Sequence, residues 1–336
     1  MQYGSVFRRS LLSRRTVLSA TAAAVASPAL GEECRIGPPP HQKGPRVWMD
    51  MDQVELDAAY DQVFYAPLFR QSTHRRAANS ELARARLGAP VRSAYGPSEV
   101  EKLDIYRAKH AKAPTFVFIH GGAWLGGEAK NYGDSAELFV GAGATYIALD
   151  FIAIKEAGGD LRVMADQVRR GVAWAYKNAA SYGGDPDRFY IGGHSSGGHL
   201  CGVTLVTDWQ KEFGLLADMI KGGLCMSGMF DLKPVRLSKR SSYVKFTDEM
   251  EQAMSSQRHL DLLRAPITVS YGTNETPEFQ RQSQDFAAAV KAAGKPVELI
   301  QATGYDHFEM AESLGHPFGP NGRAALAMMK LSLSAA

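Results

Sequence analysis

The chain has 336 residues, 45% apolar and 22% charged, with a formal net charge of +3. These are ordinary globular values, which suit a sizeable core and exclude a fibrous or disordered chain. The basic excess sits largely in Arg8, Arg9, Arg14 and Arg15, ahead of the first acid at Glu32, so the remainder is close to neutral and nucleic-acid binding, which needs a basic face, is not expected.

Residues 1–31 read as an address. Ser13-Arg14-Arg15-Thr16-Val17-Leu18 is a twin-arginine pattern, followed by an alanine-rich apolar run to Val25 and small residues at Ala29 and Gly31. That order predicts a signal peptide, cleavage near Glu32, and a periplasmic or secreted mature protein. The apolar run is too short to span a bilayer, so no membrane segment is expected after cleavage. Cys201 and Cys225 fall in apolar elements and are expected as buried thiols. Cys34 lies in a Pro-rich stretch, and a disulfide there is left open. The three cysteines have no metal-ligand spacing, and neither metal nor cofactor is expected.

Residues 32–88 form a lead-in and a helical segment. Apolar residues recur at helical spacing over 51–69 (Val54, Leu56, Ala59, Tyr60, Val63, Phe64), and 70–88 adds a second helix. From 89 to 336 the pattern changes. Short strands are expected at 91–95 and 102–107. The run 115–119 is apolar at nearly every position, as in a central strand covered on both faces. Helix 134–142, strand 144–150, helix 161–181 and strand 187–192 follow. Next come helix 198–207, strand 221–227 and short helical segments near 247–255 and 257–263. Strand 267–271, helix 278–293, strand 296–301, a loop and helix 319–333 complete the chain. Such alternation predicts an α/β fold with a mainly parallel central sheet and helices on both faces. No repeat or composition break marks a second large domain.

In such sheets chemistry collects after the carboxyl ends of strands. Strand 187–192 runs into Gly193-His194-Ser195-Ser196-Gly197, a G-x-S-x-G turn between strand and helix. It would expose the Ser195 oxygen, with glycines where side chains would clash with backbone. Strand 115–119 runs into His120-Gly121-Gly122-Ala123-Trp124, an HGG-type loop whose N–H groups suit an oxyanion. The donors are expected from Gly121 or Gly122, and from Ser196. His120 is read as orienting this loop.

A serine hydroxyl needs a general base. His307 follows the last strand in Gly304-Tyr305-Asp306-His307-Phe308, and is favoured over His316, which lies beyond the expected loop position. The acid follows strand 267–271 in Gly272-Thr273-Asn274-Glu275-Thr276. Glu275 is favoured, with Asp231 as the alternative; Asp306 adjoins His307 too closely in sequence to face its ring. Trp124, His194 and Phe230 are candidate pocket residues. His194 and His199 flank the elbow but are expected to point away from the serine oxygen or into the helix. Trp174, at helical spacing, is expected in the core.

These motifs, and the order Ser195, Glu275, His307, resemble the α/β-hydrolase superfamily from about Val91 onward. His120-Gly121-Gly122-Ala123-Trp124 and Gly193-His194-Ser195-Ser196-Gly197-Gly198-His199-Leu200 are similar to the hormone-sensitive-lipase-like branch, nearest to kynurenine formamidase-like proteins. Ser227-Gly228-Met229-Phe230-Asp231-Leu232-Lys233-Pro234-Val235 and Thr276-Pro277-Glu278-Phe279-Gln280-Arg281-Gln282-Ser283 resemble segments of that group. The resemblance implies a metal-free serine hydrolase with the triad Ser195, Glu275 and His307. It implies a small-molecule ester or amide substrate, preferably an aryl ester or aryl formamide, cleaved through an acyl-enzyme. Glu stands where many relatives carry Asp, and an export signal departs from the usual setting of kynurenine breakdown. A true kynurenine formamidase and a catalytically silent binding protein are the alternatives. Physiological substrate, ester against amide preference and oligomeric state are not fixed by the sequence, which is compatible with a homo-oligomer.

Overall fold

The computed structural model describes residues 37–333; the twin-arginine segment and Cys34 lie outside them. Eight strands form one sheet: β1 (Val91–Ala94), β2 (Lys102–Tyr106), β3 (Ala113–Ile119), β4 (Thr145–Leu149), β5 (Gly184–His194), β6 (Gly222–Met226), β7 (Ile267–Gly272) and β8 (Val297–Ala302). Their order is β1-β2-β4-β3-β5-β6-β7-β8. β2 pairs antiparallel with β1 and β4, and every later pairing is parallel. This is the mainly parallel sheet that the alternating pattern predicts.

Eleven helices surround it among the described residues: α1 (Gln53–Ala59), α2 (Phe69–Leu87), α3 (Ala136–Gly141), α4 (Leu161–Lys177), α5 (Ser196–Leu205), α6 (Trp209–Phe213), α7 (Lys233–Leu237), α8 (Asp248–Met254), α9 (Pro277–Ala292), α10 (His307–Glu312) and α11 (Pro320–Met328). The period-two alternation of strand side chains feeds two core layers. Val117 and Ile119 of β3 pack with residues of α4, α5 and α9. Phe116 and Phe118 of the same strand pack with residues of α3 and α11. Every β3 residue is buried, Thr115 included, as its nearly continuous apolar run requires. Pro114 lies at a register shift between β3 and β5, where its missing N–H removes no regular ladder bond.

Several boundaries differ from expectation. The helix expected over 51–69 ends at Ala59. Asp61 then caps a 3₁₀ turn at Gln62–Phe64, and Pro67 disfavours helix just before it. The helix expected to 181 ends at Lys177 and gives way to a 3₁₀ turn. The C-terminal helix stops at Met328. Helices α6, α7 and α10 are five or six residues long, too short for periodicity to register. The start of α10 nevertheless has a readable cause. Asp306 and Glu309 form a reciprocal capping box around its first turn.

Candidate active site

Ser195 stands between β5 and α5 at φ 59° and ψ −125°, a strained conformation for a residue with a side chain. The surrounding backbone enforces it. A Cβ on Gly193 would sit 2.1 Å from the Gly197 carbonyl oxygen, and one on Gly197 would sit 2.1 Å from that of Ile119. The Ser195 N–H donates to the Met226 carbonyl at 2.9 Å, pinning the turn to the end of β6.

The loop after β3 approaches just as closely. A Cβ on Gly121 would lie 3.0 Å from the Cβ of Ser195. Gly122, Ala123 and Trp124 all have positive φ, which turns the loop tightly. The Trp124 N–H donates to the Ser196 hydroxyl at 3.2 Å, joining the loop to the elbow. Gly121 and Gly122 donate to no backbone acceptor among the described residues. Ser196 opens α5, where an N–H has no partner within the helix. These are free donors beside Ser195. His120 is buried between the rings of Tyr132 and Phe151, and its Nδ1 donates to the Gly121 carbonyl at 2.8 Å. It holds the loop, as expected.

His307 is the first residue of α10 and is 4% exposed. Its Nε2 lies 2.8 Å from Ser195 Oγ, and its Nδ1 lies 2.7 Å from Glu275 Oε2. The carboxylate can only accept, which assigns the proton to Nδ1 and leaves Nε2 to accept from the serine hydroxyl. Glu275 lies in the loop after β7, 1% exposed. Its side chain folds back: Oε1 accepts from the Gly272 N–H at 2.7 Å and from the Ser227 hydroxyl at 2.6 Å. That folding accommodates the extra methylene of Glu relative to Asp. Burial favours the uncharged form of both partners. It pushes the Glu275 carboxyl up to about 7, against the hydrogen bonds from Gly272 and Ser227. It lowers the His307 imidazole to about 3, assisted by the charges of Arg240 and Arg76. The His307 imidazole is therefore neutral at ordinary pH.

The alternatives lie elsewhere. Asp231 accepts from Arg258 at 2.7 Å and from the Lys233 N–H at 3.2 Å, an ion pair and a turn cap. His316 is exposed. All three residues expected at the pocket wall are closed off. Phe230 has no exposed surface and stacks on Phe286 at 4.0 Å, so it belongs to the core. His194 is 4% exposed, and its Nε2 donates to the His307 carbonyl at 2.8 Å. It braces the first turn of α10 rather than lining a pocket. Trp124, 2% exposed, donates from Nε1 to His199 Nδ1 at 3.2 Å. Cys201 and Cys225 are buried free thiols with their sulfurs 3.9 Å apart.

Sequence reading missed Ser227 and Gln62. Ser227 directly follows β6 at φ 51°, and its conformation aims the hydroxyl at Glu275. Gln62 comes from the lead-in segment. Its Nε2 approaches Glu275 Oε2 at 3.5 Å and its Oε1 accepts from the Thr276 N–H at 3.3 Å. Only the position of Ser227 immediately after a strand was a usable signal; Gln62 left none. A cleft of about 750 Å³ lies beside α2 and α10, lined in part by Arg75, Asp134, Glu309 and Phe318, and none of Ser195, Glu275 or His307 borders it. His41, Asp52 and Glu55 also converge, but both carboxylates cap α1, and Lys43 pairs with Glu55.

Residues 103–224 match the family described as BD-FAE. Kynurenine formamidase of Danio rerio is 30% identical over 281 residues, covering 80% of this chain and 93% of the relative. Esterase LipC of Mycobacterium tuberculosis is 25% identical over 237 residues, covering 67% of this chain and 58% of the relative. A crystal structure from Silicibacter sp. tm1040 superimposes with a TM-score of 0.70 at 23% identity, covering 82% of this chain and 99% of the other. The carboxylesterase EstE1, cloned from a metagenomic library, gives 0.58 at 18% identity, covering 81% and 98%. The two structural likenesses concern the fold.

Proposed function

The chain belongs to the kynurenine formamidase family of α/β-hydrolases and is a hydrolase of ester or amide bonds, and from that premise we propose that Ser195, His307 and Glu275 carry the reaction through an acyl-enzyme. One observation supports this above the rest: the unbroken relay from Ser195 Oγ to His307 Nε2 at 2.8 Å and from His307 Nδ1 to Glu275 at 2.7 Å.

Each step follows from those positions. His307 Nε2 takes the hydroxyl proton as Oγ bonds to the substrate carbonyl carbon. The negative charge that develops on the carbonyl oxygen meets the N–H groups of Ser196 and of Gly121 or Gly122. One such donor is worth ~2.7–4 kcal/mol of barrier. Glu275 stabilises the imidazolium and keeps Nδ1 protonated. The imidazolium then gives its proton to the leaving alcohol or amine as that bond breaks. Water repeats the sequence on the acyl-enzyme, with His307 again as base, and releases the acid. Small aryl esters and aryl formamides are the preferred substrates in this reading.

A fluorophosphonate probe on the wild-type and Ser195→Ala proteins tests it, together with rates on p-nitrophenyl acetate and formanilide. Labelling and turnover should vanish together in the variant; a label that persists on another serine removes the assignment. Export through the twin-arginine segment belongs to the same proposal, on the order of its residues. Cell fractionation of an Arg14→Lys, Arg15→Lys variant should find the protein retained in the cytoplasm.

A further inference from the structure

The turn after β6 holds both ends of the relay. The Met226 carbonyl accepts the Ser195 N–H at 2.9 Å. The next residue, Ser227, donates its hydroxyl to Glu275 Oε1 at 2.6 Å. Nucleophile and acid are thus fastened to adjacent residues of one turn. The Ser227 N–H donates to the Ser270 carbonyl at 2.7 Å, which ties the turn to β7, the strand that leads to Glu275. Ser227 is fully buried and stands at φ 51°. Glycine takes that conformation freely, whereas few residues with a side chain do. A serine kept there at the cost of backbone strain points to a use for its hydroxyl.

The other contacts of Glu275 leave this role to Ser227. Oε2 meets His307 Nδ1 at 2.7 Å, and Gln62 Nε2 approaches it at 3.5 Å, the limit for a hydrogen bond. Oε1 takes the Gly272 N–H at 2.7 Å and the Ser227 hydroxyl. Ser227 is therefore the strong side-chain donor that holds the carboxylate from the side away from His307. Its hold matters more for Glu than for Asp, because the longer side chain has one more bond about which Oε2 can swing out of line. Burial favours the uncharged carboxyl, and the donors Gly272 and Ser227 oppose it. The charged groups nearby do not replace them. His194 bears on Glu275, but burial keeps it neutral. Arg240, Arg76 and Asp306 bear on His307. Glu278 of α9 is paired with Arg281 at 2.7 Å and accepts from the Tyr60 hydroxyl at 2.8 Å.

We propose that Ser227 is a positioning residue for the reaction: its hydroxyl anchors Oε1 of Glu275, so that Oε2 stays aimed at His307 Nδ1 and a glutamate can serve as the acid. It touches neither the substrate nor the reacting atoms and acts through Glu275 alone. The proposal rests on Glu275 being the acid of the relay.

The test is the pH profile of kcat/KM on phenyl acetate for the wild type, Ser227→Gly and Ser227→Ala. Glycine takes φ 51° without strain, so Ser227→Gly keeps the turn and loses the hydroxyl. Ser227→Ala keeps the Cβ and loses only the oxygen. Without the donor the carboxyl binds its proton more readily, so the acid limb should move upward in both variants. A shift of about one pH unit or more is expected for a lost hydrogen bond to a charged group. At about pH 6 the loss should be roughly tenfold, and it should shrink toward about pH 9, where the carboxyl is ionised with or without Ser227. An unchanged limb would overturn the proposal, because the hydroxyl would then have no hold on the acid. A loss of equal size at every pH would overturn it too, as the mark of a merely structural defect. Glu275→Ala, measured alongside, separates this proposal from the reading beneath it. If that variant loses about 10⁴-fold while Ser227→Gly and Ser227→Ala titrate like the wild type, the role of Ser227 fails and the relay stands. If Glu275→Ala stays within about tenfold of the wild type, the acid assignment has failed and the role of Ser227 with it.

Discussion

The elbow around Ser195 and helix α2 approach His307 from distant parts of the chain, and they are built on opposite rules. The elbow is a problem of backbone volume. Its glycines stand where a Cβ would enter a carbonyl oxygen at 2.1 Å, and Ser195 itself is held at φ 59°. Few residue types satisfy that geometry. Helix α2 has no apolar stripe. Its docking rests on separate polar contacts: Ser80 to the Asp134 N–H at 3.1 Å, Arg84 to the Lys130 carbonyl at 2.5 Å, and Arg75 to Glu312 at 2.6 Å. Each is replaceable, and its partner lies far along the chain. Steric demand concentrates information in a short motif, whereas polar docking distributes it over many weak choices.

Substitutions on the two sides should differ accordingly. The largest effect belongs to the elbow. Ser195→Ala should lower kcat by about 10⁶-fold, measured as initial rates on an aryl ester, because the remaining groups cannot replace the nucleophile. A loss of only tenfold would move the chemistry away from the elbow. Glu275→Ala should cost about 10⁴-fold, as expected when the imidazole loses its orienting carboxylate. Asp231→Ala, which removes an ion pair with Arg258, should leave kcat within a few fold. The reverse ranking would return the acid role to Asp231.

The pH profile reports the same pair. The proposed mechanism requires ionised Glu275 and neutral Nε2, and a proton on either breaks the relay. Burial raises one partner to about 7 and lowers the other to about 3. The sign is therefore a loss of kcat/KM as pH falls. Its acid limb should lie between those values and decline about tenfold per pH unit. A limb above pH 8 would exclude this pair as its source.

Smaller effects compare the two regions through stability. Gly193→Ala should destabilise by about 3 kcal/mol or more in urea unfolding, since the Gly197 carbonyl must move. Ser80→Ala on α2 removes one hydrogen bond to Asp134 and should cost about 1 kcal/mol. Similar values at both positions would mean that the elbow relaxes as readily as the helix.

The sequence by itself determined the sheet, the elbow, the glycine loop after β3 and the pairing of Ser195 with His307. Each depends on local rules: unbroken apolar runs in buried strands, glycine where backbone meets backbone, and chemistry placed just after a strand. It also favoured Glu275, by its position after β7. Only the tertiary structure separated Glu275 from Asp231, by bringing one carboxyl to 2.7 Å from His307 while Arg258 holds the other. Tertiary structure also decided the identity of the supports. Gln62 reaches Glu275 across 213 positions of chain, and His194 turned from pocket candidate into a brace for α10. Arg76 gains its place over the Tyr132 ring from the docking of a helix with no apolar periodicity to announce it. A single polar side chain carries no signal of its partner until the fold brings the two together.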